Sequence, residues 1–104
     1  TSLTIGKGCL FSSDIQVRTS DSHSILNEDG KRINKSRDVF IDDRVWCGHR
    51  VSILKGAKLG MDTVVAAGSI VNKEIEATGV IVAGIPAKIV KNNIHWCEEK
   101  VEEK

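Results

Sequence analysis

Tyrosine is missing from this chain of 104 residues, and proline and methionine occur once each. With only two tryptophans and two phenylalanines, any interior must be built from aliphatic side chains. No apolar run approaches the roughly 20 residues that a membrane-spanning helix needs. No signal-peptide pattern opens the sequence, which starts at Thr1 rather than Met. An excess of one charge is lacking too: 28% of residues are charged, yet the formal net charge is +1. Such a balance gives neither the basic field that holds nucleic acid nor an acidic one. Cysteine is scarce and odd in number. Cys9, Cys47 and Cys97 form no disulfide framework, which points to reduced thiols in a cytoplasmic setting. Cys47 with His49, and His95 with Cys97, are C-x-H and H-x-C pairs. Zinc sites use wider pairs, so no metal is expected.

What the sequence has is a period of six. Ile41, Cys47, Ile53, Leu59, Val65 and Val71 fall at that interval, and four positions after each comes Val45, Val51, Ala57, Thr63, Ser69 and Ile75. The pattern also occurs earlier, from Ile5 to Cys9 and from Phe11 to Ile15. Side chains alternate faces along a strand, so two inward residues two apart fit one short strand, and the remaining residues turn a corner. Three such units close a triangular coil of about eighteen residues, and stacked coils hydrogen-bond along the axis at about 4.8 Å. A helix is a poor alternative, because a period of six drifts around a 3.6-residue turn. The period predicts an all-β parallel β-helix but leaves its hand open.

Two segments break the period. Residues 18–38 carry no apolar ladder and contain Asn27-Glu28-Asp29-Gly30-Lys31, where Asp-Gly signals a hairpin turn. This predicts a loop that leaves the coil and returns, and long loops in compact domains are usually functional. After Pro86 the repeats end. Asn92 or Asn93 could cap a short C-terminal helix with Ile94, Cys97 and Val101 on one stripe. The expected organisation is a β-helix domain over 1–91 and a helical tail over 92–104.

The order Val45-Trp46-Cys47-Gly48, Ile53-Leu54-Lys55-Gly56, Ala66-Ala67-Gly68-Ser69-Ile70-Val71 and Ala83-Gly84-Ile85-Pro86-Ala87-Lys88 resembles the hexapeptide-repeat acetyltransferases. The resemblance is nearest to the polysaccharide O-acetyltransferases, with galactoside and maltose acetyltransferases as near relatives. It covers nearly the whole chain and implies a left-handed parallel β-helix, a homotrimer with clefts between subunits, and acetyl-CoA as acyl donor to a sugar hydroxyl. Members of that family are generally longer, with further coils upstream that shape the acceptor pocket. A fragment, a minimal enzyme and one segment of a split protein are therefore all open readings.

Acyl transfer from a thioester to a hydroxyl needs a general base, a donor to the developing oxyanion and a groove for the pantetheine arm. A neutral imidazole suits the base role. His23, in Thr19-Ser20-Asp21-Ser22-His23-Ser24-Ile25, resembles the stretch that carries the family's catalytic histidine. Taken alone it reads as a loop histidine. Asp21 could orient or activate its ring, or form an Asx turn. An outward Trp46 is costly on a small β-helix unless something covers it. The resemblance places Trp46 near the thiol end of CoA, Ala66 and Ala67 along the pantetheine arm, and Lys88 near the phosphates. Asn72 and Lys73 follow on the next corner and are further candidate CoA contacts. His49 departs from the small polar residue common there and is a further candidate contact. Rival readings are an amino-sugar or serine acceptor, a noncatalytic trimerising or ligand-binding module, and a carbonic-anhydrase-like metalloenzyme, for which His23, His49 and His95 lack close spacing.

Overall fold

The computed structural model describes residues 1–103. Twelve short strands follow one another: β1 Leu3–Ile5, β2 Leu10–Phe11, β3 Gln16–Val17, β4 Val39–Ile41, β5 Trp46–Cys47, β6 Ser52–Ile53, β7 Lys58–Leu59, β8 Val64–Val65, β9 Ile70–Val71, β10 Glu74–Ile75, β11 Ile81–Gly84 and β12 Ala87–Lys91. Every third strand falls in the same sheet. Sheet A is β1-β4-β7-β10, sheet B is β2-β5-β8-β11 with β12 at its end, and sheet C is β3-β6-β9. All pairings are parallel except β11 with β12. The sheets are the three walls of a prism, which is the architecture the period of six predicts.

Register carries the period into space. Trp46 pairs with Val64 and Ser52 with Ile70, each 18 residues on. Between the first and second coils Leu10 pairs with Trp46, because the loop over 18–38 is inserted between β3 and β4. The last coil is shorter: only Asn72 and Lys73 separate β9 from β10. The inward ladders match the expected residues. Ile41, Cys47, Ile53, Leu59, Val65 and Val71 are buried, and so are Val45, Val51, Ala57, Thr63, Ser69 and Ile75. Removing one such aliphatic side chain from water contributes on the order of 2 kcal/mol. Cys47 lies among them, and burial pushes its thiol up to about 12, so it packs as a small apolar group.

The corners are stacked too. Asp14, Arg50 and Gly68 occupy equivalent places between sheets B and C, and all three have positive φ (58°, 60° and 75°). Gly8, Arg44, Asp62 and Gly79 do the same between sheets A and B. Left-handed backbone in arginine is uncommon. It is held here because each corner's amide or carbonyl bonds to the next coil, as in Arg50 N to Ser13 O (3.0 Å) and Gly68 N to His49 O (2.8 Å).

The inserted loop turns where Asp-Gly predicts: Leu26 and Arg32 form an antiparallel bridge, and Gly30 has φ 76°. The C-terminal helix does not form. Residues 92–103 contain no helical turn. Asn93 takes positive φ, and Ile94 donates its amide to Gly79 O at 2.9 Å, tying the tail to the prism as an extended strap. A stripe of Ile94, Cys97 and Val101 has no facing apolar surface, since Cys97 and Val101 are exposed. A helix that short is marginal in water without such a surface.

Candidate active site

The corner between sheets B and C gathers several of the candidate residues. Val45 and Cys47 point inward, so the pleat turns Trp46 outward, where it is 36% exposed. His49 follows on the corner. Its Nδ1 lies 2.6 Å from Ser13 Oγ, a hydrogen bond whose direction follows the ring tautomer. One coil on, Ala66 and Ala67 hold the matching places. A Cβ on Gly48 would come within 2.8 Å of Ala67 N, so the backbones of the two coils meet there with nothing between them. Ala67 is exposed and Ala66 half-buried, leaving a backbone surface that a narrow ligand can approach.

Lys88 extends this edge. It sits on β12 opposite Ala83, and β11 is the next strand beyond β8. Trp46 on β5, Ala66 just past β8 and Lys88 on β12, with β11 between, therefore follow sheet B over three strand spacings, about 14 Å along the axis. Lys88 also lines a concavity of about 420 Å³ with Lys73, Glu74 and Glu76. Lys58 lies 3.8 Å from Glu74 and 3.5 Å from Glu76, which partly offsets the acidic side of that concavity.

His23 and Asp21 belong to another corner. The loop leaves the prism between sheets C and A, above Lys55 and above Asn72 and Lys73. His23 is exposed, and its carbonyl accepts a 2.7 Å bond from Asn34 Nδ2. Asp21 Oδ2 accepts from Lys55 Nζ (2.6 Å) and from Asn34 Nδ2 (2.9 Å). These bonds, that from Lys55 foremost, hold the Asp21 carboxyl below its ordinary 3.8. Asp21 thus fastens the loop to the second coil and reaches His23 through Asn34. Asn34 is the loop's buried polar centre, and its Oδ1 also accepts the Ile25 amide at 2.7 Å.

The fastening has a sign with pH. A carboxyl whose folded pKa is lowered stabilises fully above its ordinary value, and that contribution is lost as pH falls through the lowered one. Asp21→Asn should therefore loosen the loop at neutral pH and remove this acid dependence. Hydrogen exchange at the Ile25 amide checks it: faster exchange is expected in the variant, and unchanged exchange would refute the role.

Trp96 carries a role that the sequence reading did not give it. It is 8% exposed. Its indole Nε1 donates to Arg44 O at 2.7 Å, the Arg44 guanidinium donates to Trp96 O, and the same guanidinium lies 4.8 Å over the ring. Asp62 holds Arg44 Nε at 2.8 Å. The ring packs against Trp46 with centroids 5.9 Å apart. So Trp46 is covered in part by the chain's own tail. The available signal was a second tryptophan in an aromatic-poor sequence. Asn34 and Ser13 offered no pattern at all.

Among the described residues no cluster of three or more His, Cys, Asp or Glu side chains is placed to hold a metal ion. Cys47 faces the core while His49 faces outward, so that pair diverges. No helix among the described residues is long and apolar enough to cross a membrane.

No family profile matches the chain. Individual proteins do. A polysialic acid O-acetyltransferase of Escherichia coli O1:K1 is 43% identical over 95 residues, which are 90% of this chain and 31% of that protein. A solved polysialic acid O-acetyltransferase superposes with a TM-score of 0.93 at 36% identity, covering 98% of this chain and 49% of the other. A hexapeptide-repeat acetyltransferase of Vibrio cholerae, solved in complex with acetyl coenzyme A, gives 0.72 at 31% identity over 86% of this chain and 49% of that one. The coil winds left-handed, as in these neighbours. The chain spans well under two thirds of each of these proteins.

Proposed function

We propose that this chain, a homologue of the hexapeptide-repeat acetyltransferases, transfers an acetyl group from acetyl-CoA to a hydroxyl of a sugar or polysaccharide precursor. The observation that carries the reading is the edge formed by Trp46, His49, Ala66, Ala67 and Lys88, where exposed backbone lies between an aromatic and a cation. An extended arm fits such an edge with its thioester end at Trp46 and its phosphates towards Lys88. Names of the relatives point to polymeric sugars as acceptors. In this reading His23 takes the proton of the acceptor hydroxyl as its oxygen attacks the thioester carbonyl. The carbon–sulfur bond of the tetrahedral adduct then breaks, and the proton leaves with the CoA sulfur. The products are an acetyl ester and free CoA, with no acyl-enzyme.

A homotrimer is part of the same proposal. His23 and the Trp46 edge stand at different corners of one prism, so one subunit's loop completes the site on its neighbour. Ile25, Leu26 and Ile33 on the loop are exposed and give that contact apolar area. A thioester donor and free thiols at Cys9, Cys47 and Cys97 suit the cytoplasm. Asn72 and Lys73, candidate CoA contacts from the sequence, lie at the loop's corner instead of on the Trp46 edge, and the proposal assigns them to the acceptor side of such a cleft.

The test is acetyl transfer to oligomers of sialic acid and to simple galactosides, with Trp46→Ala beside the parent. Trp46→Ala should raise the KM for acetyl-CoA about tenfold or more and leave kcat less affected, as loss of a buried aromatic contact does. An unchanged KM would remove the donor edge from the reading. Acetyl-CoA binding without transfer to any acceptor would favour the noncatalytic module.

A further inference from the structure

We infer that Trp96 is a positioning residue for Trp46, so that the C-terminal strap forms the rear wall of the donor groove. The inference rests on the reading of Trp46 as a donor contact. The strap starts at the end of β12, is bound at Ile94 to Gly79, and then passes the corner between sheets A and B, where Arg44 and Asp62 stand. It therefore reaches Trp46 from the side opposite His49 and Ala67. One side of the Trp46 ring is backed by the tilted ring of Trp96, with 47° between planes, and the other side is left to the groove.

The clamp on Trp96 is reciprocal. Ring N–H and backbone carbonyl of Trp96 are met by the carbonyl and guanidinium of a single residue, Arg44. Arg44 is in turn held by Asp62 on the next coil. An exposed indole on a short strand has several rotamers available. Packing Trp96 behind it selects among them, and a side chain already in its bound orientation loses less freedom when a ligand arrives. The same wall narrows the groove's rear, where pantetheine would otherwise meet water. This accounts for a buried tryptophan in a tail whose other residues, Ile94 aside, are exposed.

The chain has no tyrosine and only these two tryptophans, which makes the contact directly visible. Two indoles this close and mutually tilted should give an exciton couplet in circular dichroism. Trp96→Phe should abolish the couplet and leave Trp46 as the sole indole, whose fluorescence should still respond to acetyl-CoA. Trp96→Ala should weaken acetyl-CoA binding, measured by calorimetry, by about five- to tenfold. Trp96→Phe should recover most of that loss, because the ring remains. If Trp96→Ala fails to fold, Arg44→Gln releases the strap with both rings intact and should weaken binding in the same direction. Unchanged affinity in Trp96→Ala, or in Arg44→Gln should that stand in, overturns the inference while loss in Trp46→Ala is retained. Unchanged affinity in Trp46→Ala overturns the donor edge itself, and the positioning role with it.

Discussion

Replacing His23 with alanine should lower kcat by about two to four orders of magnitude, the range that a positioned general base contributes. The Kd for acetyl-CoA should change little, because in the proposed site Trp46, Ala66, Ala67 and Lys88 hold the donor while His23 acts on the acceptor hydroxyl. Equal loss of turnover and donor affinity would instead mark a structural role. The loop's restraints argue against a structural role for the ring: Asn34 bonds the His23 carbonyl, and Lys55 bonds Asp21. Both survive the substitution. The shared site gives a sharper version. Subunits carrying His23→Ala and subunits carrying Trp46→Ala, unfolded together, refolded as mixed trimers and assayed at acetyl-CoA well below the raised KM, should exceed the activity of either variant alone. Each mixed interface of the right orientation pairs an intact loop with an intact edge. No recovery from a mixture shown to contain hybrids would mean that each chain builds its site alone or that the trimer is not the working form.

The largest effect on stability is expected from Gly60→Ala. A Cβ at Gly60 would lie 2.3 Å from Ala77 O and 2.6 Å from Glu76 O, both main-chain atoms of the next coil. Neither is the end of a flexible side chain, so relief requires the coils to part. The Gly60 amide donates to Ile75 O at 3.0 Å, and parting the coils strains that bond as well. Overpacking of this kind costs about 3 kcal/mol. For a domain of this size that corresponds to a fall in Tm on the order of 15 °C. Gly30→Ala is the contrast: nothing lies within 4 Å of its Cβ, so only the positive φ opposes it. A thermal melt that ranks Gly30→Ala as the more damaging would contradict the packing account.

How legible was this molecule in its sequence? The prism was, because a strand pleat and a corner impose a period that no other element shares. Ile41, Cys47, Ile53, Leu59, Val65 and Val71 fill the core as their spacing predicts. The hand was not in the spacing at all and came from resemblance. The Asp-Gly turn of the loop was readable because its backbone favours those two residues. Arg44 and Arg50 at left-handed corners were not, since the restraint comes from neighbouring coils rather than from local preference. The helix expected after Asn92 failed for a related reason. A stripe of three apolar residues says nothing about whether a surface faces it, and here Trp96 binds Arg44 instead. For the candidate site, the types of residue were legible and their corners were not. His23 and Trp46 were both assigned to one site, yet within one chain the fold sets the His23 loop between sheets C and A and Trp46 on sheet B.

Stacked repeats touch only the layers next to them, so such structures ordinarily fray from the ends inward. The belt formed by residues 92–97 alters that hierarchy. It runs from the final turn of the stack back to Arg44 and Asp62, which belong to layers further in. Peeling away the terminal layer must therefore unbuckle Trp96, and with it the backing of Trp46. Loss of order at the far end of the stack and loss of grip on the donor would then be one event.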